Sequence, residues 1–236
     1  MGRSPRNARA RSRPARWLGS LLRWGLAVVL GYLVACTALL VAYRWVAPPA
    51  TTVQVQRAVA AAIDSEPFEL AYRPVSGETQ ATSIRHAVVA SEDARFYVHT
   101  GFDLVELKAA REAAARTGRP MRGASTLTQQ LVKNLFLTTH RSWIRKGLEV
   151  PLTLLAELIL PKDRILTLYL NVAEWGPGTF GVEAAAQRHY GTTAASLSRD
   201  QAARLAAVLP SPIERRPQDQ ARNAARIQRR MHEMGW

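Results

Sequence analysis

The sequence has few of the residues that build disulfide-stabilised or metal-binding proteins. Its 236 residues include a single cysteine, Cys36, so the chain cannot form an internal disulfide and has no thiol cluster for a structural metal. The five histidines are dispersed and no group of His, Asp and Glu shows ligand spacing, so no metal site is expected. Apolar residues make up 47% and charged residues 21% of the chain, which excludes a disordered protein.

Acidic residues are absent from the first 23 positions, which hold seven arginines. This segment therefore carries half of the formal net charge of +14. The rest of the chain is only weakly basic, which argues against a nucleic-acid-binding module.

Residues 24–43 form a run of 20 residues without a charge. A helix of that length spans about 30 Å, the thickness of a bilayer core. The arginines before it predict a cytoplasmic tail at 1–23 and a domain on the outer side of the membrane. The run is too long for a cleaved signal, and it continues past Cys36, where a lipoprotein would turn polar. One membrane span is predicted, with lipidation of Cys36 as the alternative.

Two units follow the span. Residues 44–70 form an apolar-rich, membrane-proximal segment, and residues 71–236 form one domain. The apolar side chains of the first unit (Val53, Val55, Val59, Ile63 and Phe68) either dip into the membrane interface or cap the core.

The domain is predicted to be mainly α, because alternating strand patterns are nearly absent. Helices are predicted at 83–98, 125–137, 145–160, 161–172 and 198–209. The polar, basic stretch 103–123 predicts a mobile loop that covers a cleft. The arginines at 222–230 are spaced as on a basic helix, which either touches anionic head groups or is a solvated face.

The first candidate for a site surrounds Glu92 and Asp93. On a helix that continues to 98, Glu92, Phe96 and His99 would share a face, so that a carboxylate lies beside an imidazole. The alternative is an exposed acidic turn with Phe96 in the core.

The second candidate begins at Ser125, which suits a helix N-cap. Thr126, Gln130 and Lys133 would then line one stripe and suit an anionic ligand such as a phosphate. The alternative is a capped helix with a solvated face.

The third candidate is the pair Arg145 and Glu149, spaced i, i+4. By itself this spacing predicts a surface ion pair.

Taken together, these segments resemble the glycosyltransferase family 51 domain, the peptidoglycan polymerase, over about residues 45–213. The blocks that carry the resemblance are Glu-Asp-x-x-Phe-x-x-His-x-Gly-x-Asp (92–103), Gly-x-Ser-Thr-x-Thr-Gln-Gln-x-x-Lys-Asn (123–134), Arg-Lys-x-x-Glu (145–149), Ile-Leu-Thr-Leu-Tyr-Leu-Asn (165–171) and Leu-Ala-Ala-Val-Leu-Pro (205–210). Thr167 departs from the pattern, since the family usually has Glu there. No Ser-x-x-Lys or Lys-Thr-Gly is present, so the chain resembles the monofunctional members, which lack a transpeptidase module.

The resemblance implies a lysozyme-like, mainly α fold and a chain-extending reaction. The growing glycan, held on undecaprenyl pyrophosphate, would be transferred to the 4-hydroxyl of lipid II with inversion. Glu92 would be the general base and Glu149 a second carboxylate. Side chains implied to bind substrate are Lys133, Arg145, Thr126, Gln130, Ser125 and Asn134, and those implied to hold the site's shape are Asp93, Phe96 and His99.

The resemblance also implies a setting. No cofactor is required, although members often respond to divalent cations such as Mg²⁺ or Mn²⁺. The expected location is the bacterial inner membrane with the domain in the periplasm, beside other cell-wall synthases and without nucleic acid. Two rival functions are a lysozyme-like lytic enzyme with Glu92 as acid, and a non-catalytic scaffold that binds lipid II.

Overall fold

The computed structural model describes residues 13–118, 123, 125–140 and 142–236. This part of the chain is mainly helical, as predicted. Its α-helices are α1 (Arg13–Tyr43), α2 (Thr52–Ile63), α3 (Thr82–Glu92), α4 (Leu104–Thr117), α5 (Leu127–Phe136), α6 (Trp143–Ile159), α7 (Lys162–Val172), α8 (Val182–Tyr190), α9 (Arg199–Ala206) and α10 (Ala221–Glu233).

The strands are β1 (Ala71–Tyr72), β2 (Glu174–Gly176) and β3 (Thr179–Phe180). They form one small sheet in the order β1-β3-β2, with β1 parallel and β2 antiparallel to β3. Gly178 makes the hairpin turn with φ +68°, and a Cβ there would lie 2.3 Å from the Glu69 carbonyl oxygen. The segment Gly176-Pro177-Gly178 therefore forms a tight turn that supports the fold.

The core is centred on α7, which is buried along most of its length. From Ile165 to Val172 every residue is buried, as expected of a helix that is covered on all sides. α5 packs against α7 and α6, and α3 packs against α9 and α10. This arrangement brings the ends of α3 and α5, and the start of α6, to one cleft.

Helix α1 is longer than the predicted span, since it begins at Arg13. Its segment Gly19–Tyr43 has 25 residues with a mean hydropathy of 2.4, which fits a single-pass membrane anchor. The end of the helix packs against α6, where Leu40 and Cys36 are buried. Cys36 is therefore enclosed by protein instead of facing lipid.

Hydrogen bonds fasten the anchor helix to the domain. The Tyr32 hydroxyl donates to the Phe136 carbonyl oxygen at 2.5 Å. The Arg164 Nε donates to the Tyr43 carbonyl oxygen at 2.7 Å, and Arg44 Nη1 donates to Ile159 at 3.0 Å. These contacts run from Tyr32 to Arg44, so the domain packs along the C-terminal part of α1.

The membrane-proximal segment contains α2, which has a capping box at Thr51. Val53 is buried, whereas Val55, Val59 and Ile63 are exposed. One apolar residue of this helix caps the core, as one predicted arrangement has it, and three others are exposed; their insertion into a membrane interface stays a prediction.

The first helix prediction was too long. α3 ends at Glu92, because Asp93 leaves the helical region with φ −159° and ψ 73°. Glu92, Phe96 and His99 therefore do not share a helix face. Phe96 is fully buried, as the alternative interpretation expected.

The loop predicted at 103–123 was wrong for most of its length, because residues 104–117 form α4. The Asp103 side chain caps this helix by accepting the backbone N–H groups of Val105 and Glu106, both at 3.0 Å. Gly118, with φ +64°, ends it. Residues 119–122 lie outside the described part.

The N-cap of α5 is Thr126 and not Ser125. The Thr126 hydroxyl accepts the backbone N–H of Gln129 at 3.2 Å, and the Gln129 side chain accepts the Thr126 N–H at 3.0 Å. Because this reciprocal capping box uses the Thr126 side chain, the helix begins after Thr126 and not after Ser125. Pro161 is likewise the N-cap of α7, one position before its first residue.

Candidate active site

Glu92 is the last residue of α3 and is held by a hydrogen-bond chain from two other helices. Its Oε2 accepts from Gln130 Nε2 on α5 at 3.0 Å. The Gln130 Oε1 in turn accepts from the Tyr169 hydroxyl on α7 at 3.0 Å. Because Tyr169 is buried, its hydroxyl fixes the Gln130 amide so that the NH₂ group faces the carboxylate.

The surroundings of Glu92 raise the pKa of its carboxyl. Burial is the main cause, and the neighbouring Asp93 adds to it. The Gln130 hydrogen bond and the charges of Lys133 and Arg215 lower the pKa but do not cancel the effect of burial. A raised pKa makes the carboxylate a stronger base than an exposed glutamate.

Lys133 lies on α5 one turn beyond Gln130 and lines the same cleft. Burial lowers the pKa of its ammonium, and the nearby Arg145 lowers it further, while Glu149 and Glu92 oppose the shift. Positive charges that lie close enough to repel one another are stabilised when an anion binds between them. The group therefore suits an anionic ligand.

Glu149, on α6, holds two of these cations. Its carboxylate receives Arg145 Nη1 at 2.6 Å and the Lys146 ammonium. Arg145 Nε also donates to the His140 carbonyl oxygen at 2.8 Å. Glu149 is only 3% exposed, so its carboxylate is buried and does not form the surface ion pair that the spacing alone predicts, although the Lys146 side chain is 43% exposed.

These side chains border a cleft of about 530 Å³. Described residues that line it are Ser91, Glu92, Gly123, Ser125, Gln129, Gln130, Lys133, Thr139, Arg145, Lys146, Glu149, Leu209 and Pro210. The cleft thus has a carboxylate with a raised pKa at one side and a cluster of cations at the other.

Two residues implied to bind substrate are engaged elsewhere. The Thr126 hydroxyl caps α5 and donates to the Gly101 carbonyl oxygen at 2.7 Å. Thr126 lines a small cavity beside Glu92 and not the main cleft. Asn134 is buried on α5 and does not line the main cleft, and its backbone carbonyl oxygen accepts from Thr52 Oγ1 at 3.3 Å.

Asp93 and His99 brace the loop behind Glu92. The Asp93 carboxylate contacts His99 Nε2 at 2.9 Å and accepts the Leu127 N–H, at the start of α5, at 2.9 Å. It therefore ties the end of α3 to the helix that carries Gln130. Phe96 packs edge-on against the His99 ring with centroids 6.3 Å apart.

The same loop contains a cluster that the sequence spacing did not reveal. Asp93, His99 and Asp103 are buried, and each places a ligand-type atom within 4.8 Å of the others. Their oxygens already serve the fold, because Asp103 caps α4 and pairs with Arg95 at 3.0 Å. These contacts account for the cluster as a structural brace.

Two residues of the site, Lys146 and Tyr169, were not predicted as site residues, although both stand in the sequence blocks. Lys146 is three residues before Glu149, and this i, i+3 spacing predicts their contact. The contact of Tyr169 with Gln130 leaves no local pattern, because it joins residues 39 positions apart.

Comparison with known proteins gives the family. The transglycosylase family model matches residues 61–234. A biosynthetic peptidoglycan transglycosylase of Pseudomonas putida KT2440 is 46% identical over 222 residues, covering 92% of this chain and 94% of the relative. One of Chromohalobacter salexigens is 42% identical over 93% of this chain and 95% of its own length, and one of Xanthomonas campestris is 46% identical over 93% and 88%. The chain belongs to the transglycosylase family, as its five sequence blocks indicated.

Proposed function

We propose that this enzyme polymerises peptidoglycan glycan chains, with Glu92 as the general base. The observation that carries the proposal is the position of Glu92, a carboxylate with a raised pKa that opens on the same cleft as Lys133, Arg145 and Lys146. The names of the relatives support the substrate class.

In the proposed reaction, the 4-hydroxyl of lipid II attacks C1 of the growing glycan. Glu92 takes the hydroxyl proton as the new O4–C1 bond forms. The bond between C1 and the phosphate oxygen breaks, and its electron pair leaves with the undecaprenyl pyrophosphate. Attack from the face opposite the leaving group inverts C1 from α to β.

The cations of the cleft would stabilise the leaving group. The departing pyrophosphate gains negative charge in the transition state, so Lys133 and Arg145 would interact with it more strongly than with the bound substrate. Glu149 would keep Arg145 and Lys146 in place, without contact with the reacting atoms. Ser125, at the cleft wall, would contact sugar or phosphate oxygens.

The anchor would place this chemistry at the outer surface of the inner membrane. Both substrates carry lipids, so a membrane-bound enzyme meets them at a raised effective concentration. The exposed side chains of α2 (Val55, Val59 and Ile63) would lie in the interface.

The test uses full-length protein in detergent with labelled lipid II, and resolves products by size. Wild type is expected to form polymer, and Glu92→Gln to form none while still binding lipid II. Chain cleavage without synthesis would support a lytic enzyme, and binding without either reaction would support a scaffold. Both outcomes contradict the proposal.

A further inference from the structure

A second cavity meets Glu92 from the side of α10. It has a volume of about 280 Å³ and is bounded by the end of α3, the end of α9 and α10. Arg215, Arg226 and Arg230 line it together with Asn223. Of the described residues in its wall, Glu92 alone is acidic.

Neutral acceptors hold the three arginines in place. Arg230 Nη1 donates to the Ala90 carbonyl oxygen, in the last turn of α3, at 3.2 Å. Arg215 Nη1 donates to the Ala207 carbonyl oxygen, just after α9, at 3.0 Å. Arg226 Nη2 reaches the Asn223 side-chain oxygen at 3.4 Å. A guanidinium has five N–H donors, so each arginine keeps donors for a ligand.

Three arginines share this cavity with one carboxylate, Glu92, so the described wall carries an excess of positive charge. Within the described ranges, no carboxylate oxygen lies within 4.0 Å of these three guanidinium groups, and the undescribed positions contain no Asp or Glu. In contrast, Arg145 is paired with Glu149 and Arg57 with Glu174. An anionic group of a ligand would supply the missing partner.

The position of α10 favours one anion of the substrate. α1 and α2, the membrane-side helices, pack against α6 and α5, whereas α10 packs against α3 and α9. The pyrophosphate of lipid II is fixed at the membrane surface by its lipid, on the side of α5 and α6. The peptide stem extends from the sugar away from that lipid, and it carries carboxylates.

We propose that Arg226 and Arg230, aided by Arg215, bind a carboxylate of the acceptor's peptide stem. The planar guanidinium fork matches a carboxylate in bidentate geometry. Binding there would anchor the acceptor on the far side of Glu92 from the cation cluster, and would position its 4-hydroxyl at the base. This inference rests on the proposed polymerase function.

The test compares two pairs of changes on one helix. The double variant Arg226→Gln/Arg230→Gln removes cavity charges, and Arg222→Gln/Arg229→Gln removes the same charge from residues that do not line the cavity. Binding is measured in the Glu92→Gln background, so that no turnover occurs. The probes are fluorescent lipid II with free stem carboxylates and the same molecule with those carboxylates amidated.

We expect the cavity variant to bind the carboxylate substrate about tenfold more weakly, since a hydrogen bond to a charged group contributes about 1.5 kcal/mol. The control pair should change affinity less than twofold. The amidated substrate should bind the cavity variant and its parent equally. Arg226→Gln alone, which leaves the Arg230 contact with α3 intact, should show part of the loss.

Two outcomes would overturn the inference. An equal loss with both substrates would mean that the arginines bind the pyrophosphate or support the fold, and no loss would mean that the cavity does not contact the acceptor. Polymer synthesis by protein with native Glu92 is measured in parallel. Absence of polymer would refute the proposed function, whereas polymer without a carboxylate effect would refute this inference alone.

Discussion

Glu92 and Glu149 line the same cleft, but their surroundings differ. Within the described part of the chain, Glu92 receives one hydrogen bond, from the neutral amide of Gln130, and burial raises the pKa of its carboxyl. Glu149 contacts both Arg145 and Lys146 and is almost fully enclosed. The Glu92 carboxylate is thus unpaired with any cation in the described part, whereas the Glu149 carboxylate forms ion pairs with Arg145 and Lys146.

The difference shows how a fold separates chemistry from support. Both oxygens of the Glu149 carboxylate are engaged by cations, since Oε2 accepts from Arg145 and Oε1 from Lys146. A carboxylate with a neutral donor and a buried setting binds a proton more readily than an exposed one. Both glutamates line the cleft, so it is the residues that contact each carboxylate that distinguish their proposed roles.

The largest effect is expected for Glu92→Gln. The polymerisation rate should fall about 10³-fold, within the range that a general base contributes. The glutamine can still accept from Gln130, so the melting temperature should stay within about 2 °C. A variant that keeps a tenth of the rate would show that Glu92 is not the base.

Glu149→Gln should act on stability first. It leaves Arg145 and Lys146 without their counter-charge, and the free energy of unfolding should fall by about 2 kcal/mol. Urea unfolding followed by circular dichroism measures this loss. A matched Glu92→Gln sample is the control. If Glu149→Gln abolished activity without changing stability, Glu149 would act in the reaction itself, and the proposed difference in role between Glu92 and Glu149 would be wrong.

The pH dependence of the polymerisation rate tests whether Glu92 acts as the base. The rate should fall as pH decreases through the raised pKa of Glu92, at higher pH than for an ordinary glutamate. Gln130→Met removes the hydrogen bond that lowers this pKa, so the acid limb should move up. At a pH below the Glu92 pKa, Gln130→Met should therefore be about tenfold slower than wild type. A profile unchanged by Gln130→Met would mean that another group controls the limb.

The smallest effect is expected at Thr167, away from both carboxylates. Its hydroxyl accepts from Arg85 at 3.1 Å, and Arg85 also pairs with Asp163 at 3.0 Å. Thr167→Glu would add a second acid beside Arg85 and should change kcat less than twofold, with stability within about 1 kcal/mol. A large rate change would show that this region is coupled to the site.

Much of the helical scaffold could be predicted from local patterns. α5, α6, α7 and α9 have apolar periodicity and capping residues, so their ends were predicted within a few residues. The prediction of a loop at α4 was wrong because a polar composition is shared by loops and solvent-exposed helices. Its Ala, Glu and Arg residues favour a helix, and Asp103 and Gly118 mark its ends.

The catalytic arrangement could be predicted only in part. The family motifs identify Glu92, Lys133, Arg145 and Glu149, which do line one cleft. The contact between Tyr169 and Gln130 joins distant segments, and it leaves no local pattern. The helix-face argument for Glu92 failed because Asp93 bonds outward to α5 and ends α3.

The hydrogen bonds between α1 and the domain have a consequence for the lipid environment. Tyr32, Arg44 and Arg164 fasten the anchor along its membrane end, so no flexible tether separates the bilayer from the cleft. A helix that tilts to match a thicker or thinner bilayer would tilt the whole domain with it. With α1 in the bilayer as proposed, the height of Glu92 above the lipid would then depend on bilayer thickness.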